Sequence, residues 1–193
     1  MRMDGACICT LACALLGGLA GPAVAAADDA GAKFGFLVGA DLEYGGDDII
    51  TLSFTDGSDQ DIKAGQGATL AVGGYFKPRA ASAFSVRGTV GYKFVTTAAS
   101  NADIGIDRIV YELVGDYEWP SGFWVGAGLT QHTGIKLDGD GFGPDVDFDD
   151  ATGITAELGW KWIGLTYTQI EYEDEFGGKW DADSVGLSFI WRF

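Results

Sequence analysis

The sequence is poor in the residues from which most enzymes build their chemistry. Its three cysteines, Cys7, Cys9 and Cys13, all lie near the N-terminus, so everything beyond Cys13 is without disulfides, thiol nucleophiles and cysteine metal sites. A single histidine, His132, excludes a multi-histidine metal centre. Lysine and arginine total 12 against 28 aspartates and glutamates. The resulting net charge of −16 argues against nucleic acid as a partner and against direct capture of phosphate-rich lipid, because both would be repelled. Beyond the N-terminal segment there is neither sustained helical periodicity nor an apolar run long enough to cross a membrane as a helix.

The N-terminus has the form of an export signal. Arg2 opens a short basic region, an apolar run extends from Ala6 to Ala20, and Ala23-Val24-Ala25 supplies a small-x-small cleavage pattern. Cleavage after Ala25 or after Ala27 fits equally well. Gly17, Gly18, Gly21 and Pro22 interrupt the run and disfavour a retained membrane helix. Thr10-Leu11-Ala12-Cys13 is a poor lipoprotein box, since Thr10 stands where Leu is usual and apolar sequence continues past the cysteine. The chain is therefore divided into residues 1–25, a cleavable signal peptide, and residues 26–193, one domain.

What that domain has in abundance is period-two alternation, which recurs eight times. Clear cases are Phe34, Phe36, Val38, Ala40, Leu42 and Tyr44 opposite Gly35, Leu37, Gly39, Asp41 and Glu43, and Phe123, Val125, Ala127 and Leu129 opposite Trp124, Gly126, Gly128, Thr130 and His132. The segment Gly164–Tyr172 is least regular, because Leu165 and Tyr167 share one face while Ile170 and Tyr172 fall on the other. That predicts a bulge near Thr168–Gln169. Long connections (45–67, 95–107, 134–152 and 173–183) alternate with short ones (77–83, 120–122 and a tight turn near Trp162–Ile163). Within the first long connection, Ile49–Phe54 followed by Asp56-Gly57 predicts a hairpin that continues the flanking strands.

Alternation alone does not say which face is inside. A soluble barrel would turn its apolar face inward. Three features favour the opposite arrangement. The polar face is rich in Gly, Ser and Thr, which suits the narrow interior of an eight-stranded barrel. Aromatics gather at both strand ends: Phe34, Phe76, Phe84, Trp119, Phe123, Trp160 and Trp162 at one, and Tyr44, Tyr92, Phe94, Tyr111 and Tyr172 at the other. Strands of about ten residues are long enough to cross hydrocarbon when tilted. In the last strand Val185, Leu187, Phe189, Trp191 and Phe193 share one face, and the sequence finishes on an aromatic.

The signal-like N-terminus, eight alternating segments, alternating loop lengths and aromatic Phe189, Trp191 and Phe193 together resemble the small bacterial outer-membrane β-barrels, the family of the OmpA transmembrane domain and OmpX-type proteins. The resemblance is architectural. It implies an all-β, eight-stranded antiparallel up-and-down transmembrane barrel in the outer membrane of a Gram-negative cell. It further implies a periplasmic N-terminus and extracellular long loops. Phe189, Trp191 and Phe193 would then form the targeting strand read by the barrel assembly machinery. Implied partners are outer-membrane lipid and lipopolysaccharide, with a monomeric chain. The family includes structural proteins, adhesins, lipid-modifying enzymes and hydrophobic-ligand channels, so it does not fix a role.

The inward charges are Asp41, Glu43, Arg87, Lys93, Arg108, Glu112, Asp116, Glu118, Glu157, Lys161 and Arg192, and burial requires most of them to be paired or hydrated. Arg87, Glu112, Asp116, Glu157 and Lys161 are expected to form an interior polar network, with Arg87 bridging across strands to Asp116 or Glu112. A lipid A deacylase of this barrel type uses His, a Ser two residues on and an acidic partner; here Gly134 occupies the serine position, so no catalytic residues are assigned. No cofactor is expected, apart from Ca²⁺ or Mg²⁺ at the acidic loops. There Asp145, Asp147 and Asp149 place three carboxylates on one strand face as a weak divalent-cation site, though the segment fails the EF-hand pattern. The expected role is non-enzymatic, in envelope integrity or surface interaction through acidic loops. Passage of small hydrophobic molecules through the barrel is the second reading and lipid A modification the third.

Overall fold

The computed structural model describes residues 31–53, 59–96, 104–139 and 145–193. The signal-peptide segment and the Asp56-Gly57 turn lie outside the described residues. The strands in chain order are β1 (Lys33–Tyr44), β2 (Asp48–Ser53), β3 (Asp59–Lys63), β4 (Gly67–Lys77), β5 (Phe84–Thr96), β6 (Gly105–Glu118), β7 (Phe123–Asp138), β8 (Val146–Phe148), β9 (Ala151–Trp160), β10 (Ile163–Gln169), β11 (Glu171–Glu173), β12 (Lys179–Asp181) and β13 (Ser184–Arg192).

Eight of them, β1, β4, β5, β6, β7, β9, β10 and β13, form one antiparallel sheet that closes on itself. Closure is the pairing of β1 with β13, from Leu37 opposite Arg192 to Tyr44 opposite Val185, and the amide of Phe193 donates to the Phe36 carbonyl at 2.8 Å. Every strand of the wall thus has a neighbour on both sides, so the sheet has no edge to satisfy.

Through the middle of the barrel the alternation points as the composition requires. Leu42, Leu70, Val90, Leu113, Leu129, Leu158 and Leu187 are exposed on the outside, whereas Thr69, Thr130, Thr155, Thr166 and Ser188 are buried inside. An apolar belt of this extent has no place in water and suits hydrocarbon. Aromatics flank the belt. At the end with the short turns, Phe34 and Phe76 lie 4.8 Å apart, Tyr117 and Trp119 4.7 Å apart, and Trp162 stacks on Trp191 at 6.1 Å. At the long-loop end stand Tyr44, Tyr92, Phe94, Tyr111 and Tyr167.

Toward the long loops the polarity inverts. Ile106, Ile135, Leu137, Phe148, Ile170 and Tyr172 point inward and are buried in one apolar cluster, while Lys136, Asp138, Glu171 and Glu173 face out. The outer part of the molecule is therefore built like a soluble domain, with an apolar core and a charged surface. On β7 the switch is made by a bulge. The register to β6 shifts between Asp107 and Ile109, leaving Gly134 and Ile135 opposite Arg108, and Gly134 takes φ +60°. That extra residue turns Ile135 and Leu137 inward, although His132 already faced the lumen.

Three expectations need correction. There is no bulge at Thr168–Gln169: alternation runs unbroken from Leu165 to Glu173, and Ile170 and Tyr172 lie inward because this part of the strand has left the apolar belt. For the same reason Tyr172 is fully buried and takes no part in the outer aromatic girdle. The hairpin in the first connection is present as β2–β3, but it forms its own two-stranded sheet rather than prolonging β1 and β4. The break falls at Gly45 and Gly46, where Gly46 has φ +86° and a Cβ there would stand 2.7 Å from the Asp181 carbonyl oxygen. Close approach lets the Asp47 amide donate to that carbonyl at 2.7 Å, which laces the first connection to the last.

Glycine also sets how much fits inside the wall. Trp124 fills the lumen near the short turns, where its indole N–H donates to the Lys161 carbonyl at 3.1 Å, and Gly159 lies beneath it. A Cβ at Gly159 would meet the indole ring at 2.5 Å. Gly159→Val should therefore displace Trp124 and cost about 1–3 kcal/mol or more through overpacking. The loss should be read as a lower midpoint for disappearance of the folded band in unboiled electrophoresis; an unchanged midpoint would contradict the packing described.

Candidate functional site

Two places concentrate polar chemistry: the lumen at belt height, and the acidic cap above it.

In the lumen, Arg87 of β5 is the hub. Its Nε lies 3.3 Å from Asp116 Oδ2, and its Nη2 contacts Glu157. Arg192 Nη2 completes the pairing of Asp116 at 2.9 Å, and Arg192 Nη1 lies 3.5 Å from Glu118, which also meets Lys77. Higher up, Lys93 Nζ lies 2.7 Å from Glu43 Oε2, while Glu43 Oε1 accepts from the hydroxyls of Ser184 at 2.8 Å and Thr168 at 3.0 Å. Glu112 accepts from the Thr89 hydroxyl at 3.3 Å. Arg87, Asp116, Glu157, Lys93 and Glu43 are shielded from water, so removing one partner leaves an uncompensated buried charge, whereas Lys77 and Glu118 lie partly exposed at the mouth.

Of the residues expected in this network, Arg87, Asp116 and Glu157 are brought into contact, and Glu112 stands beside them on Thr89. Lys161 is not part of it. It occupies the tight turn after β9 at φ +56°, exposed, with its ammonium 4.3 Å from the centre of the Trp160 ring. Simple alternation carried it inward because it continues the count from Glu157, but the strand ends at Trp160. Arg192, immediately before the last aromatic, supplies the second cation.

At the top of the lumen His132 Nδ1 shares a hydrogen bond with the Tyr172 hydroxyl. The Arg108 guanidinium lies 5.7 Å from the Tyr172 ring and donates to the Gln66 carbonyl at 2.8 Å. His132, Arg108 and Tyr172 form the floor on which the apolar cap rests. The His132 ring is buried and engaged by Tyr172, and among the described residues no serine hydrogen-bonds to it.

The cap's surface is acidic. Asp145, Asp147 and Asp149 do face outward, with Phe148 buried between the last two. They are not gathered on one point: Asp145 accepts from the Gly139 amide at 2.9 Å, and Asp147 lies 3.5 Å from Lys136 Nζ. Among the described residues, no group of three His, Cys, Asp or Glu side chains is arranged to hold a metal ion.

The β11–β12 hairpin carries a feature that strand alternation does not reveal. Asp174 organises its tip, with Oδ1 accepting from the amides of Phe176 at 2.9 Å and Gly178 at 2.8 Å, and Oδ2 from the Trp180 indole at 3.0 Å. Those bonds, that of Trp180 first, hold the Asp174 carboxyl below the usual carboxylate range. The ordered turn presents Phe176 to solvent, 83% exposed, between Glu175 and Gly177. The signal that would have found it is the Asp-x-x-Gly-Gly spacing of Asp174, Gly177 and Gly178, an Asx-type turn.

The closed register, the apolar belt and the polar lumen are those of a small eight-stranded outer-membrane barrel. The sequence matches no protein-family model and no curated protein. Among solved structures, the barrel is similar to Ail, the attachment invasion locus protein of Yersinia pestis, solved with the heparin analogue sucrose octasulfate, at 10% identity and TM-score 0.42 over 82% of this chain and 97% of that one. Neisserial surface protein A is similar at 14% identity and TM-score 0.40, over 82% and 98%. Likeness at that level carries no argument about role.

Two outcomes follow. Arg87→Leu leaves Asp116 and Glu157 without their central cation and should cost about 3–5 kcal/mol, whereas Lys161→Ala should stay within about 0.5 kcal/mol, both read by urea unfolding of refolded protein. Equal effects would contradict the lumen assignment. Because Asp174 is depressed in the folded hairpin, its contribution is present above the unfolded carboxylate pKa and is lost as pH falls through the folded value. Protection of the Phe176 and Gly178 amides, taken relative to their intrinsic exchange rate at each pH, should therefore be high at neutral pH, fall on acidification, and be low at every pH in Asp174→Ala.

Proposed function

We propose that the protein is a non-enzymatic component of the outer membrane of a Gram-negative cell, with its short turns in the periplasm and its cap outside. Its task is then surface interaction through the acidic cap, alongside any mechanical contribution to the envelope. The observation that carries this reading is the polarity inversion. A chain selected only to span a membrane has no use for a separately cored, charged domain standing above the belt. The Asp174-braced hairpin with Phe176 at its tip adds a preorganised apolar anchor in an acidic setting, which suits a partner with a basic rim around an apolar pocket.

Passage of small hydrophobic molecules is less well supported. Arg87, Asp116, Glu157 and Trp124 fill the lower lumen, and the apolar core of the cap closes the upper end. Lipid A modification is also less well supported, because Gly134 stands at the serine position and the hydroxyl that meets His132 is the buried one of Tyr172. The outward carboxylates Asp145, Asp147 and Asp149 are proposed as a loose divalent-cation contact toward lipopolysaccharide phosphates, and Phe189, Trp191 and Phe193 as the segment read during assembly. The exposed faces of Trp191 and Phe193 at the short-turn end support that role.

Because the chain lacks cysteine after Cys13, single reporters are easily placed. Phe176→Cys should react with a membrane-impermeant maleimide on intact cells, and Ser121→Cys only after the outer membrane is opened. The reverse pattern would overturn the orientation, and labelling of neither in a membrane fraction that shows a folded band would overturn surface display.

A further inference from the structure

The lumen holds an electrostatic imbalance that its ion pairs leave in one place. Among the described residues, the interior carboxylates at belt height are Asp41, Glu43, Glu112, Asp116 and Glu157, and the interior cations are Arg87, Lys93, Arg108 and Arg192. Glu118 and Lys77 compensate each other at the short-turn mouth, 3.4 Å apart. The interior is thus one positive charge short. The deficit is localised, because Arg87 is engaged by Asp116 and Glu157, Lys93 by Glu43, and Arg192 by Asp116 and Glu118. Arg108 donates to the Gln66 carbonyl and lies against Tyr172. Among the described residues no cation pairs with Asp41 or Glu112, and the Thr89 hydroxyl is the hydrogen-bond donor to Glu112.

Asp41 and Glu112 line a common cavity of about 10 Å³ together with Thr69, Thr89, Thr166 and Thr168. That is close to the smallest space a single water-sized species occupies. An independent observation points into it: Thr166 is only 5% exposed, and its hydroxyl has no partner in the protein. A buried hydroxyl is costly to leave unsatisfied. Carboxylate and hydroxyl oxygens are hard donors, which select small hard cations over soft ones. A divalent ion would overcorrect a deficit of one and would leave an excess positive charge in a water-excluded lumen.

We propose that this mid-lumen cavity binds one small monovalent cation, with sodium as the probe ion, through Asp41 of β1, Glu112 of β6 and the Thr166 hydroxyl of β10. The ion ties three strands together across the barrel, between the Arg87 pairings below and the Lys93–Glu43 pair above. Other charged or titratable groups facing the region are Glu43, held by Lys93, and His132 from β7, which both line the same cavity, with Arg108 above it and the Arg87–Glu157 pair below. The site is unrelated to the acidic surface, where sodium acts only as a screening ion.

The test is thermal unfolding of the full refolded barrel in sodium chloride and in tetramethylammonium chloride at equal ionic strength. The larger ion screens the cap equally but does not fit the cavity. Wild type should show a higher unfolding midpoint in sodium that saturates with concentration. Asp41→Asn and Glu112→Gln should each lose that saturable shift while keeping the folded band. Thr166→Val, the mildest change, should move half-saturation to higher sodium by several-fold, and it decides the matter if the carboxylate variants do not fold. Equal midpoints in the two salts would overturn the proposal. If those equal midpoints rise together as pH falls, the missing charge is a proton shared by Asp41 and Glu112. If they ignore pH as well, the cavity holds water. A sodium shift that survives in the Asp41 and Glu112 variants would also overturn it.

Discussion

The closing pairing of β1 with β13 is the constraint on which the rest of the molecule depends. A sheet placed in hydrocarbon has no solvent to satisfy the backbone of an open edge, so the wall must meet itself. Once it does, every strand has two faces in different surroundings, and side chains sort accordingly: leucine, valine and phenylalanine outward, threonine, serine and ions inward. Eight strands leave a lumen only as wide as the side chains that fill it. Charges inside it must therefore be partnered, and Arg87 is held by two carboxylates from different strands. The same pairings stiffen the wall they are buried in.

Where the strands rise out of the apolar belt the sorting rule reverses, with no change of chain direction. The wall keeps its hydrogen-bond ladder through β6 and β7, but the solvent outside is now water and the interior becomes the place for isoleucine, leucine and phenylalanine. The bulge at Gly134 is the mechanical device that permits this on β7. On the last hairpin no device is needed, because the residue types change while the alternation continues. Burying a side chain such as Ile106 or Leu137 contributes about 1.5–3 kcal/mol, so the cap is held by hydrophobic burial while the belt region relies on lipid outside and ion pairs within.

The wall was legible in the sequence because period-two alternation, short turns and strand-end aromatics all encode one face meeting lipid. That logic carried Leu42, Leu129, Trp191 and Trp124 to their correct faces. It failed where its assumption of a single outside solvent failed. Ile170 and Tyr172 mimic a register slip, and Tyr172 a girdle residue, only while apolar residues are equated with the outer face. Alternation points Lys161 inward because it does not reveal that the strand stops one residue earlier. Ion-pair partners across the lumen, such as Arg192 with Asp116, depend on barrel shear and are invisible to spacing. So is the juxtaposition of Asp41 with Glu112, from strands that are not neighbours.

The most direct test of this two-zone account is residue-by-residue paramagnetic broadening along β7 in lipid nanodiscs, using one agent dissolved in the lipid and one in water. The account predicts that Val125 and Leu129 broaden with the lipid agent, that Lys136 and Asp138 broaden with the aqueous agent, and that Ile135 and Leu137 are protected from both. Broadening of Ile135 and Leu137 by the lipid agent, continuous with Leu129, would show a single apolar outer face and contradict the inversion.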